Sequence, residues 1–261
     1  MTTPADPTVP QDAAKPDSTP ETTPAAHHRP ADPVRTVLLL RHARSTSNVA
    51  GTLAGRLPGI GLDETGLTQA NAVAAQLAGV EIARIVSSPA ERCLATLAPL
   101  AAATGLTVET DDRLSEVDYG SWSGRKLGDL AKEDLWRVVQ QRPSAAVFPD
   151  GEGLADVSAR AVAAVRELAA GPVPVLICSH GDVLKAILAD ALGIHLDGFQ
   201  RINVAPASLS VVRYTSARPM VERINQTSDL SALFPPPPPA ADHPDADPAP
   251  VADAVVGGAT R

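Results

Sequence analysis

Cysteine and aromatic residues are scarce in this chain. Only two cysteines, Cys93 and Cys178, occur among its 261 residues. Disulfide frameworks serve small secreted domains that cannot build an adequate core, and a chain of this length needs none. Both thiols are therefore expected to be buried in a reducing, cytoplasmic setting. Aromatics make up 3% of the residues against 44% for all hydrophobic types, so the core must be aliphatic, built mainly from Ala, Val and Leu. No apolar stretch approaches the ~20 residues that span a bilayer, and residues 1–33 lack the basic start and apolar run of a signal peptide. Positive charge is in deficit too. A formal net charge of −8 argues against general affinity for nucleic acid or acidic membrane surfaces. The expectation is a soluble cytoplasmic protein with neither kind of partner, in which a local group of arginines can still hold an anion.

Several catalytic motifs are missing as well. No arginine stands six positions after either cysteine, which excludes a cysteine-phosphatase loop. No Gly-x-x-x-x-Gly-Lys occurs, which excludes a Walker-type nucleotide hydrolase. Gly59-x-Gly61 follows no strand and lacks a third glycine, too little for a dinucleotide site. Neither His-x-x-x-His nor clustered cysteines are present, so neither a metal nor any other cofactor is indicated.

Both ends differ in composition from the middle. Residues 1–33 are rich in Pro, Thr, Asp and Ala, and the C-terminal stretch opens with five consecutive prolines from Pro235. Such segments bury too little apolar surface to offset their ordering entropy. Tails at 1–33 and 232–261 are therefore expected to be disordered, with His27, His28 and His243 as solvated residues. Between them, residues 34–231 read as one domain. Segment 37–40 is an unbroken apolar run, and 82–86 and 173–178 are mainly apolar in the same way, the mark of strands buried on both faces. Helical stretches at 67–77, 90–103, 154–170 and 182–192 alternate with them. In 154–170 the apolar residues Val157, Ala161, Val165 and Leu168 recur at helical spacing. Segments 208–214 and 219–224 read as closing strands of antiparallel type. This alternation predicts an α/β fold, a three-layer α/β/α sandwich with a mostly parallel sheet.

Ligands of such sheets bind beyond the carboxyl ends of the strands. After the first apolar run come Arg41-His42-Ala43-Arg44-Ser45-Thr46-Ser47-Asn48. The second is followed by Ser87-Ser88-Pro89-Ala90-Glu91-Arg92 and the third by Ser179-His180-Gly181-Asp182. Two histidines and two arginines thus meet at one sheet edge, with helix N-termini close by. The arginine fork matches phosphate geometry, and helix N-termini favour anions. A neutral imidazole can attack phosphorus if its other nitrogen is held as N–H by a carbonyl. Charge on the equatorial oxygens can be met by Arg41, Arg92 and a protonated His180. A proton donor for the leaving oxygen is still required, and the loop Arg113-Leu114-Ser115-Glu116-Val117-Asp118-Tyr119-Gly120 offers Glu116 and Asp118. His195 has no such company and is expected at the surface, and Trp122 and Trp136 are expected to pack.

Leu40-Arg41-His42-Ala43-Arg44-Ser45-x-x-Asn48 resembles the Leu-Arg-His-Gly-Glu-Thr-x-x-Asn signature of the histidine phosphatase (phosphoglycerate mutase-like) superfamily. Ser87-Ser88-Pro89-x-x-Arg92-x-x-x-Thr96 resembles its second element, and Leu114-x-Glu116-x-Asp118-Tyr119-Gly120-x-Trp122-x-Gly124 its proton-donor loop. Ser179-His180-Gly181 is similar to its last catalytic element. Gly66-Leu67-Thr68-Gln69-Ala70 and Pro149-Asp150-Gly151-Glu152 are similar to weaker landmarks. All six lie in family order and cover nearly the whole of residues 36–230.

The resemblance implies a metal-independent phosphomonoester hydrolase acting on a small phosphorylated metabolite. His42 becomes phosphorylated, Arg41, Arg92 and His180 form the phosphate pocket, Asn48 is a polar contact, and Glu116, rather than Asp118, is the acid that later activates water. Ala43 stands where most members have Gly, so its backbone is expected in an ordinary region. Arg44 replaces a frequent acidic residue and is expected either to add a cation at the pocket rim or to be a solvated surface arginine. Two rivals share these residues, a phosphomutase of the phosphoglycerate mutase type and a non-catalytic phosphate-binding regulator. The stretch between Arg92 and His180 looks short for the covers that shield a mutase's phosphoenzyme, which favours hydrolysis. Substrate choice is assigned to loops 52–62, 113–125 and 143–153, and the oligomeric state is left open.

Overall fold

A computed structural model describes residues 35–227; the expected tails and the histidines in them lie outside the described residues. The elements run β1 (Arg35–Arg41), α1 (Thr46–Ala50), α2 (Glu64–Gln76), β2 (Arg84–Ser87), α3 (Glu91–Thr104), β3 (Val108–Thr110), α4 (Leu127–Leu130), α5 (Asp134–Gln141), α6 (Leu154–Ala170), β4 (Val175–Ser179), α7 (Gly181–Leu192), β5 (Leu209–Tyr214) and β6 (Pro219–Gln226). They form one six-stranded sheet in the order β3-β2-β4-β1-β5-β6. The first four strands are mutually parallel, and β5 and β6 add an antiparallel margin.

Successive side chains of a strand point to opposite faces, and here both faces are covered. On one side Val37, Leu39, Val86, Val175 and Ile177 pack with Val157, Ala161 and Val165 of α6 and with Val183, Leu184 and Ile187 of α7. On the other, Leu38, Leu40, Ile85, Leu176 and Cys178 meet Val73 of α2 and Cys93, Leu97 and Leu100 of α3. The result is three layers, α6 and α7 over the sheet over α2 and α3. It explains why these strands read as mainly apolar runs instead of alternating ones. Both cysteines are free and buried in the second layer of packing. Trp122 is buried, stacking on Trp136 with ring centroids 6.4 Å apart and meeting Phe148 edge-on. His195 is exposed and caps a short 3-10 turn.

Several elements depart from the expected places, β2 and β4 each starting two residues later, at Arg84 and Val175. The helix expected from residue 67 starts at Glu64, because the Asp63 side chain accepts from Gly66 N–H and caps it. Strand β3 is three residues long, mostly exposed and set at the sheet edge, so no apolar run announces it. Among the described residues no helix is long and apolar enough to cross a membrane.

Candidate active site

The strand register brings the chemistry to one edge. Arg41 pairs with Ser179, and Ser87 with Cys178. The ladder then runs one residue further on each side: His42 N–H donates to Ser179 O at 2.9 Å, and Ser88 N–H donates to Cys178 O at 2.9 Å. His42, Ser88 and His180 therefore stand side by side as the first residues past β1, β2 and β4. Helices α3 and α7 start at the same edge. Arg92 lies in the first turn of α3, and His180 is the N-cap of α7.

His42 is 3% exposed. Its Nδ1 lies 2.8 Å from the carbonyl of Ala43. A carbonyl only accepts, so Nδ1 carries the hydrogen and Nε2 keeps its lone pair. Burial, then the charges of Arg92 and Arg41, hold the imidazole well below its ordinary range, against the opposing Ala43 bond. Ala43 is fully buried, and its N–H donates to Thr96 Oγ1 at 2.9 Å, whose hydroxyl donates to Arg92 O at 2.7 Å. Positive φ at non-glycine described residues is confined to Asp150, Ala207 and Asn225, so position 43 has the ordinary backbone its Cβ requires.

Arg92 Nη2 donates to Gly55 O at 2.9 Å and to His180 Nδ1 at 3.0 Å. His180 therefore accepts through Nδ1 and donates through Nε2 to Ser88 Oγ at 2.7 Å. Its ring centroid is 5.3 Å from that of His42. Burial, followed by the charge of Arg92, holds His180 neutral among the protein's own groups. The expected protonated His180 is thus not the state these groups favour, although a phosphoryl dianion beside it pulls in the opposite direction. Arg41, 1% exposed, donates from Nη1 to Val204 O at 2.7 Å. Burial lowers its pKa to about 10, still fully charged at neutral pH.

Glu116 is 5% exposed, with Oε1 accepting from Val117 N–H at 3.0 Å and Oε2 3.8 Å from His180 Nδ1. Burial, reinforced by the nearby Asp182 carboxylate and opposed by Arg92, raises its pKa to about 7. Asp118 is differently placed. Its Oδ1 accepts from Gly120 N–H at 3.0 Å, and it lines neither of the cavities described below. Asn48 closes a capping box with Ser45, its Oδ1 accepting from Ser45 N–H at 3.0 Å. That leaves its amino group to donate outward.

A small crevice is lined by His42, Asn48, Gly55, Arg92 and Glu116, among others. Arg41 and His180 are buried and not among the residues that line it. Arg44 does not reach it. Its guanidinium is bound to Asp63, Nε at 2.9 Å, and to Thr65, so the expected rim cation is neutralised on the N-cap of α2. Residues 143–153, expected to shape the substrate site, line neither cavity.

Those residues act from behind. A Cβ on Gly151 would sit 2.3 Å from Asp118 O, and one on Gly120 2.0 Å from Pro149 O. The two backbones meet at a separation only glycine permits. Glu152 N–H donates to Asp118 O at 2.8 Å, and its carboxylate accepts from Asp118 N–H at 3.0 Å. Arg160 of α6 completes the brace, bonding Arg113 O at 2.7 Å, Glu116 O at 3.2 Å and the Glu152 carboxylate. Sequence reasoning missed Arg160, which only broke the apolar stripe of its helix. Gly66 supports the His42 loop in the same way. A Cβ there would lie 2.0 Å from Arg44 O, and Gln69 accepts from Arg44 N–H at 2.9 Å. Deeper still, Tyr119 donates to the buried Asp182 at 2.8 Å, and Lys185 stands 3.5 Å from the same carboxylate.

Comparison with known proteins agrees with this geometry. The model of the histidine phosphatase superfamily (branch 1) matches residues 37–227. Phosphoserine phosphatase 1 of Hydrogenobacter thermophilus is 31% identical over 203 residues, 76% of this chain and 95% of the relative. A probable phosphoglycerate mutase GpmB of Yersinia pestis is 34% identical over 183 residues, 68% of this chain and 84% of the relative. Among solved structures, a mycobacterial glucosyl-3-phosphoglycerate phosphatase superposes with a TM-score of 0.68 at 27% identity, covering 75% of this chain and 100% of that one. A match over most of the described fold, with relatives above 30% identity along nearly their whole length, establishes the assignment: the chain belongs to the histidine phosphatase superfamily, branch 1.

Proposed function

We propose that this enzyme is a metal-independent phosphomonoester hydrolase that turns over a small phosphorylated metabolite through a phosphohistidine at His42. One observation carries the reading. Nδ1 of His42 is tied to the Ala43 carbonyl at 2.8 Å, so a neutral imidazole presents Nε2 beside two arginine charges. In the first step the Nε2 lone pair forms a bond to phosphorus, the bond from phosphorus to the alcohol oxygen breaks, and Glu116 delivers its proton to that oxygen. Arg41 and Arg92 meet the charge on the equatorial oxygens, Asn48 donates from its amino group, and His180 keeps Arg92 oriented. In the second step Glu116, now a carboxylate, takes a proton from water. The water oxygen bonds phosphorus, the N–P bond breaks, and phosphate leaves. A carboxyl group with its pKa raised to about 7 suits both duties at neutral pH. Fixed arginine charge stands where other phosphatases use a metal ion, so chelators are expected to leave the rate unchanged. The two buried free thiols and the absence of a membrane-spanning helix among the described residues support a cytoplasmic setting.

A mutase would use the same groups, and one relative carries that name. Hydrolysis is favoured because the segment between Arg92 and His180 supplies walls and a rear brace, while residues 143–153 stay away from the crevice. The lifetime of the phosphoenzyme in water decides between them. Decay within seconds, with phosphate as the only product, is expected. A phosphoenzyme stable for many minutes that passes its phosphoryl group to a glycerate or sugar alcohol would assign a mutase.

A further inference from the structure

Beside the crevice lies a second, larger cavity, which shares Gly55, Arg92 and Glu116 with it. An ester with its phosphorus facing His42 passes its leaving oxygen by Glu116 and so carries its alcohol into this cavity. One wall is the loop bearing Leu57, Pro58 and Ile60. The other is the approach to α3, with Pro89 and Ala90. Glu91 ties the two walls together, its Oε1 accepting from Gly59 N–H at 3.1 Å.

Charge decides which alcohol suits these walls. Two cations line the cavity, Arg92 and Arg56, and among the described residues no lysine joins them. Arg92 serves the phosphoryl side and is bonded to Gly55 O and His180. Arg56 donates from Nε to Glu116 O at 2.9 Å and pairs through Nη2 with the Glu152 carboxylate at 2.9 Å. Glu91 adds a carboxylate of its own. An alcohol bearing a carboxylate finds no uncommitted cation here, whereas an apolar chain finds two apolar walls.

We infer that this cavity is the leaving-group subsite for an uncharged, largely apolar alcohol, longer than three carbons, and that Leu57 and Ile60 set this preference. The inference rests on the proposed ester hydrolysis and narrows its substrate class. The test is kcat/KM for n-alkyl phosphates from ethyl to hexyl, with 3-phosphoglycerate and phosphoserine as carboxylate-bearing competitors. Each methylene taken from water raises kcat/KM by up to about fourfold, so hexyl phosphate is expected to exceed ethyl phosphate by tens of fold and both competitors by a similar margin. Leu57→Asp and Ile60→Asp, at partly exposed positions that tolerate charge, should flatten the series, and Leu57→Met should preserve it. A flat series in the native enzyme, or a preference for either carboxylate-bearing ester, overturns the inference. If no ester at all is turned over, it is the hydrolase reading that fails. Calorimetric titration with the same alkyl phosphates then judges the subsite alone: affinity that grows with chain length keeps it, and constant affinity overturns it.

Discussion

The floor of the crevice and its walls are held in place by different means. His42 and His180 follow directly from strands, and the backbone ladder continues through His42 and Ser88. Their positions are fixed by sheet register, which cannot slip without moving every core side chain to the wrong face. Glu116 and the 52–62 loop belong to no strand. Their place depends on local braces, among them Glu152, Arg160, the Gly120–Gly151 approach, the bond between Glu91 and Gly59, and the isolated bridges at Thr52 and Leu62. A floor set by topology supplies the chemistry of the fold. Walls set by side chains can be retuned to another alcohol without disturbing that chemistry.

The sharpest way to break this comparison is at the floor. His42→Ala should lower turnover by on the order of 10⁴-fold or more, with native circular dichroism retained. At the wall, Glu116→Gln keeps size and hydrogen bonding but cannot deliver a proton. Single-turnover phosphorylation by alkyl phosphates should fall by about 10²–10⁴-fold, and by p-nitrophenyl phosphate far less, because p-nitrophenolate leaves without a proton. Asp118→Asn should treat both substrates alike. The same carboxyl sets a pH dependence. Its acid form is lost as pH rises through its pKa of about 7, so phosphorylation by alkyl phosphates should decline above that pH in native enzyme and not in Glu116→Gln. A brace should matter less than either. Gly151→Ala forces a Cβ against Asp118 O and is expected to cost roughly tenfold in kcat through misplacement of Glu116, with the p-nitrophenyl ester again less affected. Smallest of all, removing residues 1–33 and 232–261 should leave kcat/KM and melting temperature unchanged, since the proposed domain spans 34–231. A drop of several degrees would show that a tail docks on it.

The same division explains what was legible in the sequence. The strands of the floor are mainly apolar runs with chemistry directly after them, so Arg41, His42, Arg92 and His180 could be gathered at one edge from the sequence. Glu116 could be narrowed to two carboxylates by residue type alone, and resemblance chose between them. Side-chain pairing across the chain was not legible. Arg44 looked like a pocket cation because nothing in its own segment reveals Asp63 as its partner. Residues 143–153 read as part of the substrate site, whereas Pro149 and Glu152 bond the back of the Glu116 loop, at Ser121 and Asp118. Arg160, lying on α6, bonds backbone carbonyls of the 113–116 segment some 44 to 47 positions away. No local pattern encodes such a contact. The protonation state of His180 was also hidden, since it follows from complete burial beside Arg92.

In the proposed reaction Nε2 of His42 is the atom that takes the phosphoryl group. Rapid alkaline quench of the enzyme turning over a labelled phosphomonoester, followed by peptide mapping, tests this directly. The expected result is a single phosphoryl group on His42, labile to acid and stable to base. A label on His180, Ser47, Ser88 or Cys93, or continued phosphoenzyme formation in His42→Ala, would contradict it.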